Sequence, residues 1–205
     1  MVSVYQLKAK FQSHLRPLVQ KCAEKGITAN QVTLAACALS IVYGGLMAAF
    51  YNSHWSWLFL PVVMFIRMAM NAVDGMLARE HNMKSSLGAV LNELGDVVSD
   101  TALYMPFALL VPDTAWLVVL VLLLAMLSEM AGVVAVQIGA SRRYDGPMGK
   151  SDRAFVFGTV GFLIAIGLLP QAGMLFVFGV VALLLCLTIY NRCRKALQEV
   201  AVHGA

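Results

Sequence analysis

The sequence predicts an all-α integral membrane protein with six transmembrane helices and an N-terminal interfacial amphipathic helix. Hydrophobic residues make up 60% of the 205 residues and charged residues only 13%, with a mean hydropathy of +0.77. Soluble domains carry about 25% charged residues, so this composition excludes a soluble domain. We interpret the chain as a juxtamembrane amphipathic segment (1–27), one six-helix transmembrane domain (28–191) and a cytoplasmic tail (192–205).

The first predicted element is the amphipathic helix. Apolar residues recur there at helical spacing: Val4, Leu7, Phe11, Leu15, Leu18 and Cys22. Most lysines of the segment lie off that stripe, which is typical of a helix that lies in the cytoplasmic membrane interface. Pro17 is expected to bend it. A solvated basic leader is the alternative interpretation.

Six apolar segments follow this helix. They run over residues 33–50, 55–79, 87–111, 114–140, 154–169 and 172–191. Each is near the ~20 residues that a helix needs to cross the hydrocarbon core, although the fifth is short. Because the hairpin that joins the second and third spans is short, these two helices are expected to be antiparallel neighbours.

The basic residues predict the orientation. Of the 15 Lys and Arg residues, 14 lie before the first span, at residues 79–84, at 142–153 or at 192–195. The positive-inside rule places these regions and both termini in the cytoplasm, and the expected location is a bacterial inner membrane. The net charge of +4 is therefore interpreted as a topology signal, not as a sign of nucleic-acid binding.

Acidic residues concentrate at the cytoplasmic edge of the second and third spans. Asp74 lies near the end of the second span, and Asp96 and Asp100 lie in the first half of the third. A charged side chain inside a membrane costs at least ~2.5–3.5 kcal/mol, so such residues usually mark a functional site. A purely structural alternative pairs Arg67 with Glu129 or Glu93, but this single buried arginine would not neutralise the whole set.

Helical geometry groups these residues on two facing helices. One face of the second span carries Asn71, Asp74, Gly75 and Ala78, and the third span carries Gly88, Asn92, Asp96 and Asp100 at steps of four. Oxygen ligands from two helices suit a hard divalent cation, Mg²⁺ or Mn²⁺. Such an ion would in turn bridge phosphates. The predicted metal ligands are Asn71, Asp74, Asn92, Asp96 and Asp100.

At these positions the sequence resembles the CDP-alcohol phosphotransferase family. The family signature is D-x2-D-G-x2-A-R-x8-G-x3-D-x3-D, and every spacing fits residues 71–96, with Asn71 and Asn92 at two of its four Asp positions. The stretch "ITANQVT", residues 27–33, is similar to the "TPNxxT" element before span one of many members.

The resemblance implies transfer of a substituted phosphate from a CDP-linked donor to an alcohol, with release of CMP. Asp96 would be the catalytic general base, and the six-helix domain would be catalytic. The residues implied in CDP binding are Asn30, Asp74, Gly75, Ala78, Arg79, Ser85 and Gly88. The implied partners are CDP-diacylglycerol, a small polar alcohol, membrane lipid and a second copy in a homodimer.

The two asparagines remove two negative charges from the expected metal centre. Three possibilities remain: one metal suffices, Glu93 or Asp100 supplies the missing charge, or activity is lost. A further basic cluster, expected to bind a phosphorylated or polyol acceptor, comprises Arg142, Arg143, Lys150 and Arg153; simple positive-inside topology is its alternative interpretation.

Three other functions stay open at this point. Within the same family, the lipid can belong to the acceptor instead of the donor. The two asparagines keep open a non-catalytic protein that binds a CDP-lipid. A cation or proton transporter would also carry intramembrane charges, although no internal repeat is evident.

Overall fold

The computed structural model describes residues 4–203 of the chain, with side chains over residues 10–202. Its α-helices are α1 (Val4–Glu24), α2 (Ala29–Ala49), α3 (His54–Leu58), α4 (Leu60–Glu80), α5 (Ser86–Tyr104), α6 (Ala115–Gln137), α7 (Lys150–Ala165) and α8 (Gln171–His203). Two short 3-10 helices, Met105–Leu110 and Pro112–Thr114, join α5 to α6. Over residues 4–203 the chain forms no β-strand, and the all-α membrane class is confirmed.

Among residues 4–203, four stretches are long and apolar enough to cross a membrane. They are Ala29–Ala49, His54–Glu80, Pro112–Gln137 and Gln171–Val202, which correspond to the first, second, fourth and sixth predicted spans. The helices in the other two predicted spans differ in kind. α5 carries three acidic residues, and α7 has only 16 residues and begins with charged ones. The count of six spans therefore stays a prediction.

Side-chain caps determine where the helices at the site begin. Thr28 and Gln31 form a reciprocal capping box, so α2 begins four residues before the predicted span. Ser85 caps α5, since its hydroxyl oxygen accepts a hydrogen bond from the Gly88 amide at 3.0 Å. Gly149 caps α7, and its amide donates to Asp152 at 2.9 Å.

The helix α1 packs against the rest of the chain and is not a solvated leader. Val19 is fully buried in a cluster that includes Val32 of α2 and Val73 of α4. Leu18, which the predicted stripe included, is 51% exposed, so the packed face is rotated from the predicted one. The helix continues through Pro17. The side chains of Val4 and Leu7 lie outside those described.

The main hydrophobic core lies beyond the C-terminal end of α5, which is the end opposite its cap. Tyr104 stacks on Phe157 of α7 with ring centroids 3.8 Å apart, and Phe107 packs edge-on against the same ring. Together they fix α5 against α7. α2 crosses α5 closely at Gly44, where an added Cβ would lie 2.1 Å from the Ala102 carbonyl oxygen.

Residues 192–203, predicted as a tail, continue α8 without a break. Arg192 is only 2% exposed, and its guanidinium donates to the Ser128 carbonyl oxygen of α6. The end of α8 is thus packed against α6.

Candidate functional site

The structure brings Asp74 and Asp96 together at the junction of α4 and α5. The Asn71 amide, one turn before Asp74, donates to Asp96 Oδ1 at 3.1 Å. Both aspartates are buried, at 6% and 8% exposure. Asn92 lies half-buried on α5, one turn before Asp96.

Thr33 of α2 contributes a contact that the sequence analysis missed. Its hydroxyl donates to Asp74 Oδ2 at 2.8 Å. Thr33 lies three residues after Asn30, on the same helical face. That spacing within "ITANQVT" was the signal that could have placed it at the site.

Two cations flank Asp96. The Lys150 ammonium, on the first residue of α7, contacts Asp96 Oδ2. Arg67 donates to the main-chain oxygen of Asp96 at 3.3 Å, and its guanidinium lies 3.6 Å from Asp96 Oδ1. Lys150 was expected among the acceptor-binding residues, and the structure places it against the predicted general base.

Asp100 lies between two buried arginines. Arg67 Nη1 is 2.6 Å from Asp100 Oδ1, and Arg153 Nε donates to Asp100 Oδ2 at 2.9 Å. The predicted pairing of Arg67 with Glu129 or Glu93 is wrong, because α4 faces α5 and presents Arg67 to Asp96 and Asp100.

Glu129 instead pairs with Arg153 at 3.0 Å, Arg142 at 3.2 Å and Arg192 at 3.4 Å. The interpretation with one buried arginine is also wrong, because Arg153 and Arg192 are as buried as Arg67. Their helices extend beyond the predicted spans, so the arginines that appeared to lie outside the bundle are packed within it.

Glu93 is likewise held by an arginine. Arg142 Nε and Nη2 each donate to it at 2.6 Å, a bidentate pair. Because Glu93 and Asp100 are both engaged by arginines, neither has the free charge needed to replace the aspartates missing at positions 71 and 92.

Residues predicted to bind CDP meet at the start of α2 and α5. The Asn30 amide lies 3.5 Å from Ser85 Oγ, and a Cβ on Gly88 would lie 2.6 Å from Asn30 Oδ1. On α4, the Arg79 guanidinium folds back over Gly75, 3.2 Å from where a Cβ would stand. Ala78 packs instead against the cluster around Val19.

The remaining predicted acceptor residues have acidic partners as well. Arg143 pairs with Asp145 at 2.9 Å and with Glu199 at 2.5 Å. Burial favours a higher pKa for the Asp145 carboxyl, but hydrogen bonds from Lys195 and Arg143 outweigh it and hold that pKa below its ordinary value. The connection between α6 and α7 is thus tied down by ion pairs on both sides.

The oxygen donors at this site fit one divalent ion better than two. Between residues 10 and 202, no three His, Cys, Asp or Glu side chains are arranged to hold a metal. The site offers the carboxylates of Asp74 and Asp96 and the amide oxygens of Asn71 and Asn92, which are suitable ligands for Mg²⁺ or Mn²⁺. Two carboxylates balance the charge of a single divalent ion.

Known proteins resemble this chain over most of its length. The family model for CDP-alcohol phosphatidyltransferase matches residues 26–190. The inner membrane protein YnbA of Escherichia coli (strain K12) is 46% identical over 196 residues, which are 96% of this chain and 97% of that protein.

Two solved structures of the Mycobacterium tuberculosis phosphatidylinositol phosphate synthase (PgsA1) match with a TM-score of 0.72. One is a complex with manganese and citrate, 17% identical, with 88% of this chain and 87% of that chain covered. The other has CDP-DAG bound and is 18% identical, with 90% and 92% covered. At such identities the likeness shows a shared fold.

Proposed function

The chain belongs to the CDP-alcohol phosphatidyltransferase family, and from this we propose that it transfers a phosphatidyl group from CDP-diacylglycerol to a polar alcohol, releasing CMP. The observation that carries the proposal is the hydrogen bond to Asp96 of α5 from Asn71, which lies one turn before Asp74 on α4. Asp74 and Asp96 are the residues that the family signature places at the reacting phosphate and at the acceptor. The crystallised relative with CDP-DAG bound supports the same donor.

In the proposed reaction Asp96 takes the proton of the acceptor hydroxyl. The alcohol oxygen then bonds to the phosphorus that carries diacylglycerol, and the bond from that phosphorus to the CMP oxygen breaks. Asn71 and Lys150 hold the two carboxylate oxygens of Asp96 in place. Release of Asp96 Oδ2 from Lys150 would free that oxygen to accept the proton.

A divalent ion is part of the proposal. Asp74 and Asp96, with the amide oxygens of Asn71 and Asn92, would hold Mg²⁺ or Mn²⁺. When bound, the ion neutralises charge on the donor diphosphate as CMP leaves. The manganese in the crystallised relative supports this assignment.

The CDP half of the donor is proposed to bind where α2 and α5 begin. Asn30, Ser85 and Gly88 already converge there. The absence of a side chain lets Asn30 approach Gly88 and lets the Arg79 guanidinium lie against Gly75, where it supplies a positive charge.

An apolar groove supports a lipid on one substrate. It encloses about 410 Å³ between α4 and α7, with Met64, Phe65 and Met68 on one wall and Ala154, Phe155 and Phe162 on the other. Ser151, the neighbour of Lys150, also lines it. We assign this groove to an acyl chain of the donor lipid, which would leave its phosphate near Lys150 and Asp96.

The acceptor is proposed to be a polar alcohol that enters beside the connection between α6 and α7. Arg142, Arg143 and Arg153 stand there with carboxylate partners. A phosphorylated or polyol acceptor would bind by exchanging places with one of those carboxylates. We place the protein in a bacterial inner membrane, as a homodimer with its site facing the cytoplasm.

The test uses the purified protein with CDP-diacylglycerol and a panel of glycerol phosphate, inositol phosphate, inositol, glycerol and serine. We expect CMP release and a new phospholipid with one of them, abolished by EDTA and restored by Mg²⁺ or Mn²⁺. Parallel reactions with diacylglycerol and CDP-linked headgroups decide which substrate carries the lipid. No CMP from any combination would refute the proposal.

One observation favours a second candidate, a protein that binds CDP-lipid without turnover. Both oxygens of Asp96 are engaged, by Asn71 and by Lys150. Metal-dependent binding of CDP by a protein that releases no CMP would select this second function. Family membership leaves the transporter alternative without support.

A further inference from the structure

We infer that the positive charge of the Lys150 ammonium replaces that of one metal ion, so that the site operates with a single divalent cation and this ammonium. This inference rests on the proposed function, since it concerns how the same site binds the donor diphosphate.

The first step is a count of charge. Asn71 and Asn92 leave Asp74 and Asp96 as the carboxylates that face each other across α4 and α5. Glu93 is bound by Arg142 and Asp100 is bound by two arginines. A second divalent ion would therefore add two positive charges with no carboxylate to balance them. In a low-dielectric setting such an excess of positive charge is unfavourable.

The second step is the position of Lys150. Its ammonium contacts Asp96 Oδ2. A positive charge already stands beside this carboxylate, and any ion that used Asp96 Oδ2 would first have to displace it. Lys150 also begins α7, so the partial positive charge of that helix end adds to its own.

The third step is accessibility. The Lys150 side chain is 23% exposed, whereas those of Arg67 and Arg153 are 1% exposed. The two arginines are enclosed around Asp100 and are less accessible than Lys150 to a phosphate of the donor. An ammonium has three donors, and once Lys150 releases Asp96 Oδ2 it can direct them to a phosphate oxygen of the donor.

The experiment measures bound Mn²⁺ by electron paramagnetic resonance and CDP affinity by equilibrium titration, both on the full-length protein in detergent. In the presence of CDP we expect one Mn²⁺ per chain, without the signature of a coupled pair. Lys150→Gln should weaken CDP binding about tenfold or more, whereas Lys150→Arg should retain most of it. Lys21→Gln, an exposed lysine of α1, is the control for lost charge and should leave CDP affinity unchanged.

A triple variant completes the test. Asn71→Asp with Asn92→Asp and Lys150→Gln restores two carboxylates and removes the ammonium, so it should bind two Mn²⁺ ions with spin coupling. Thermal unfolding of each variant separates loss of binding from loss of folding.

Two ions or none in the wild-type protein would overturn the inference, as would unchanged CDP affinity in Lys150→Gln. CMP release is scored separately. If the protein releases CMP with two ions bound, the inference about Lys150 is refuted and the proposed transferase activity stands. If it binds one ion and its CDP binding depends on Lys150, but it releases no CMP, only the transferase activity is refuted.

Discussion

Asp96 accepts a contact on each carboxylate oxygen, from the Asn71 amide on Oδ1 and from Lys150 on Oδ2. Its main-chain oxygen is held by Arg67. Asp96 is thus held by three neighbours, two on α4 and one on α7. A substitution that keeps its shape will therefore test its chemistry with little effect on packing.

Asp96→Asn keeps the shape and loses the ability to take a proton. We expect CMP release to fall at least ~100-fold, in the range that a general base contributes, and the thermal midpoint, measured in parallel, reports the loss of the contacts with Asn71 and Lys150. Asp113→Asn, an exposed acid beyond the far end of α5, is the matched control and should retain full activity. Activity that survives in Asp96→Asn would assign the base to another residue.

Arg67 and Arg16 form ion pairs in opposite environments. Arg67→Met leaves buried Asp100 with Arg153 alone, and breaking a buried pair costs about 3 kcal/mol of folding free energy. Arg16→Met breaks the pair of Arg16 with Glu80. These two side chains are 62% and 36% exposed, respectively, so the substitution should change stability little. Thermal unfolding in detergent compares the two. Equal shifts would contradict the assignment of Arg67 to a buried network.

At the residue scale, the sequence predicted which residues share one face of a helix. The four-residue steps placed Asn92, Asp96 and Asp100 on one stripe, since helical periodicity depends on spacing alone. The partners of Arg153 and Arg192 were missed because they lie on α5 and α6, far along the chain. Such pairs depend on how helices pack in three dimensions, which periodicity does not reveal.

Close crossing of α2 and α5 is the main feature at the scale of elements. α2 carries Thr33 and Asn30 to the site, so its distance from α5 sets the position of both. Gly44 allows that distance, because it has no Cβ that would collide with the Ala102 carbonyl.

Gly44→Ala should push the two helices apart. An added Cβ would lie 2.1 Å from a backbone oxygen, and overpacking of this kind costs about 1–3 kcal/mol. We expect a lower thermal midpoint and weaker CDP binding. Gly45→Ala is the matched control, since nothing lies within 4 Å of its added Cβ and Ala is the better helix former. An unchanged thermal midpoint in Gly44→Ala would mean that α2 and α5 pack less closely at Gly44 than the structure shows.

The α6–α7 connection gives a pH-dependent prediction. Lys195 and Arg143 lower the pKa of Asp145 against the effect of burial, so its ionised form stabilises the folded state. That contribution is complete above the unfolded-state pKa of about 3.9 and is lost as pH falls through the lower folded-state value. The midpoint difference between wild type and Asp145→Asn should be greatest near pH 7 and shrink below about pH 4. A constant difference would contradict it.

Element boundaries were harder to predict than element types. α7 begins at Lys150, four residues before the predicted span, because the Gly149 amide bonds to Asp152. Asp three residues after a helix-capping position is a recognised start signal, but hydropathy, which marked the predicted span, excludes charged residues. The same bias ended the last span at 191, whereas α8 continues to His203.

At the scale of the whole molecule, the sequence predicted the membrane class correctly because composition alone separates it from soluble proteins. The orientation stays a prediction from the distribution of Lys and Arg. Asp74, Asp96 and the residues around them lie at the end that this rule places in the cytoplasm.

Reporter fusions test that orientation. Green fluorescent protein joined after Ala205 should fluoresce, and alkaline phosphatase at the same place should be inactive, because both termini are predicted inside. Fusions after Ser53, between α2 and α3, should give the reverse pattern. Active phosphatase at the C-terminus would show that the protein has the opposite orientation, with the site on the outer face of the membrane.

The shortness of α7 has a consequence for the surrounding lipid. Its 16 residues rise about 24 Å in all, less than the ~30 Å hydrocarbon thickness of a bilayer. A bilayer accommodates such hydrophobic mismatch by thinning around the short helix. We therefore expect the leaflet beside Lys150 to be locally thinned, so that phosphodiester headgroups lie at the depth of Asp96. A lipid substrate would then reach the site by lateral diffusion.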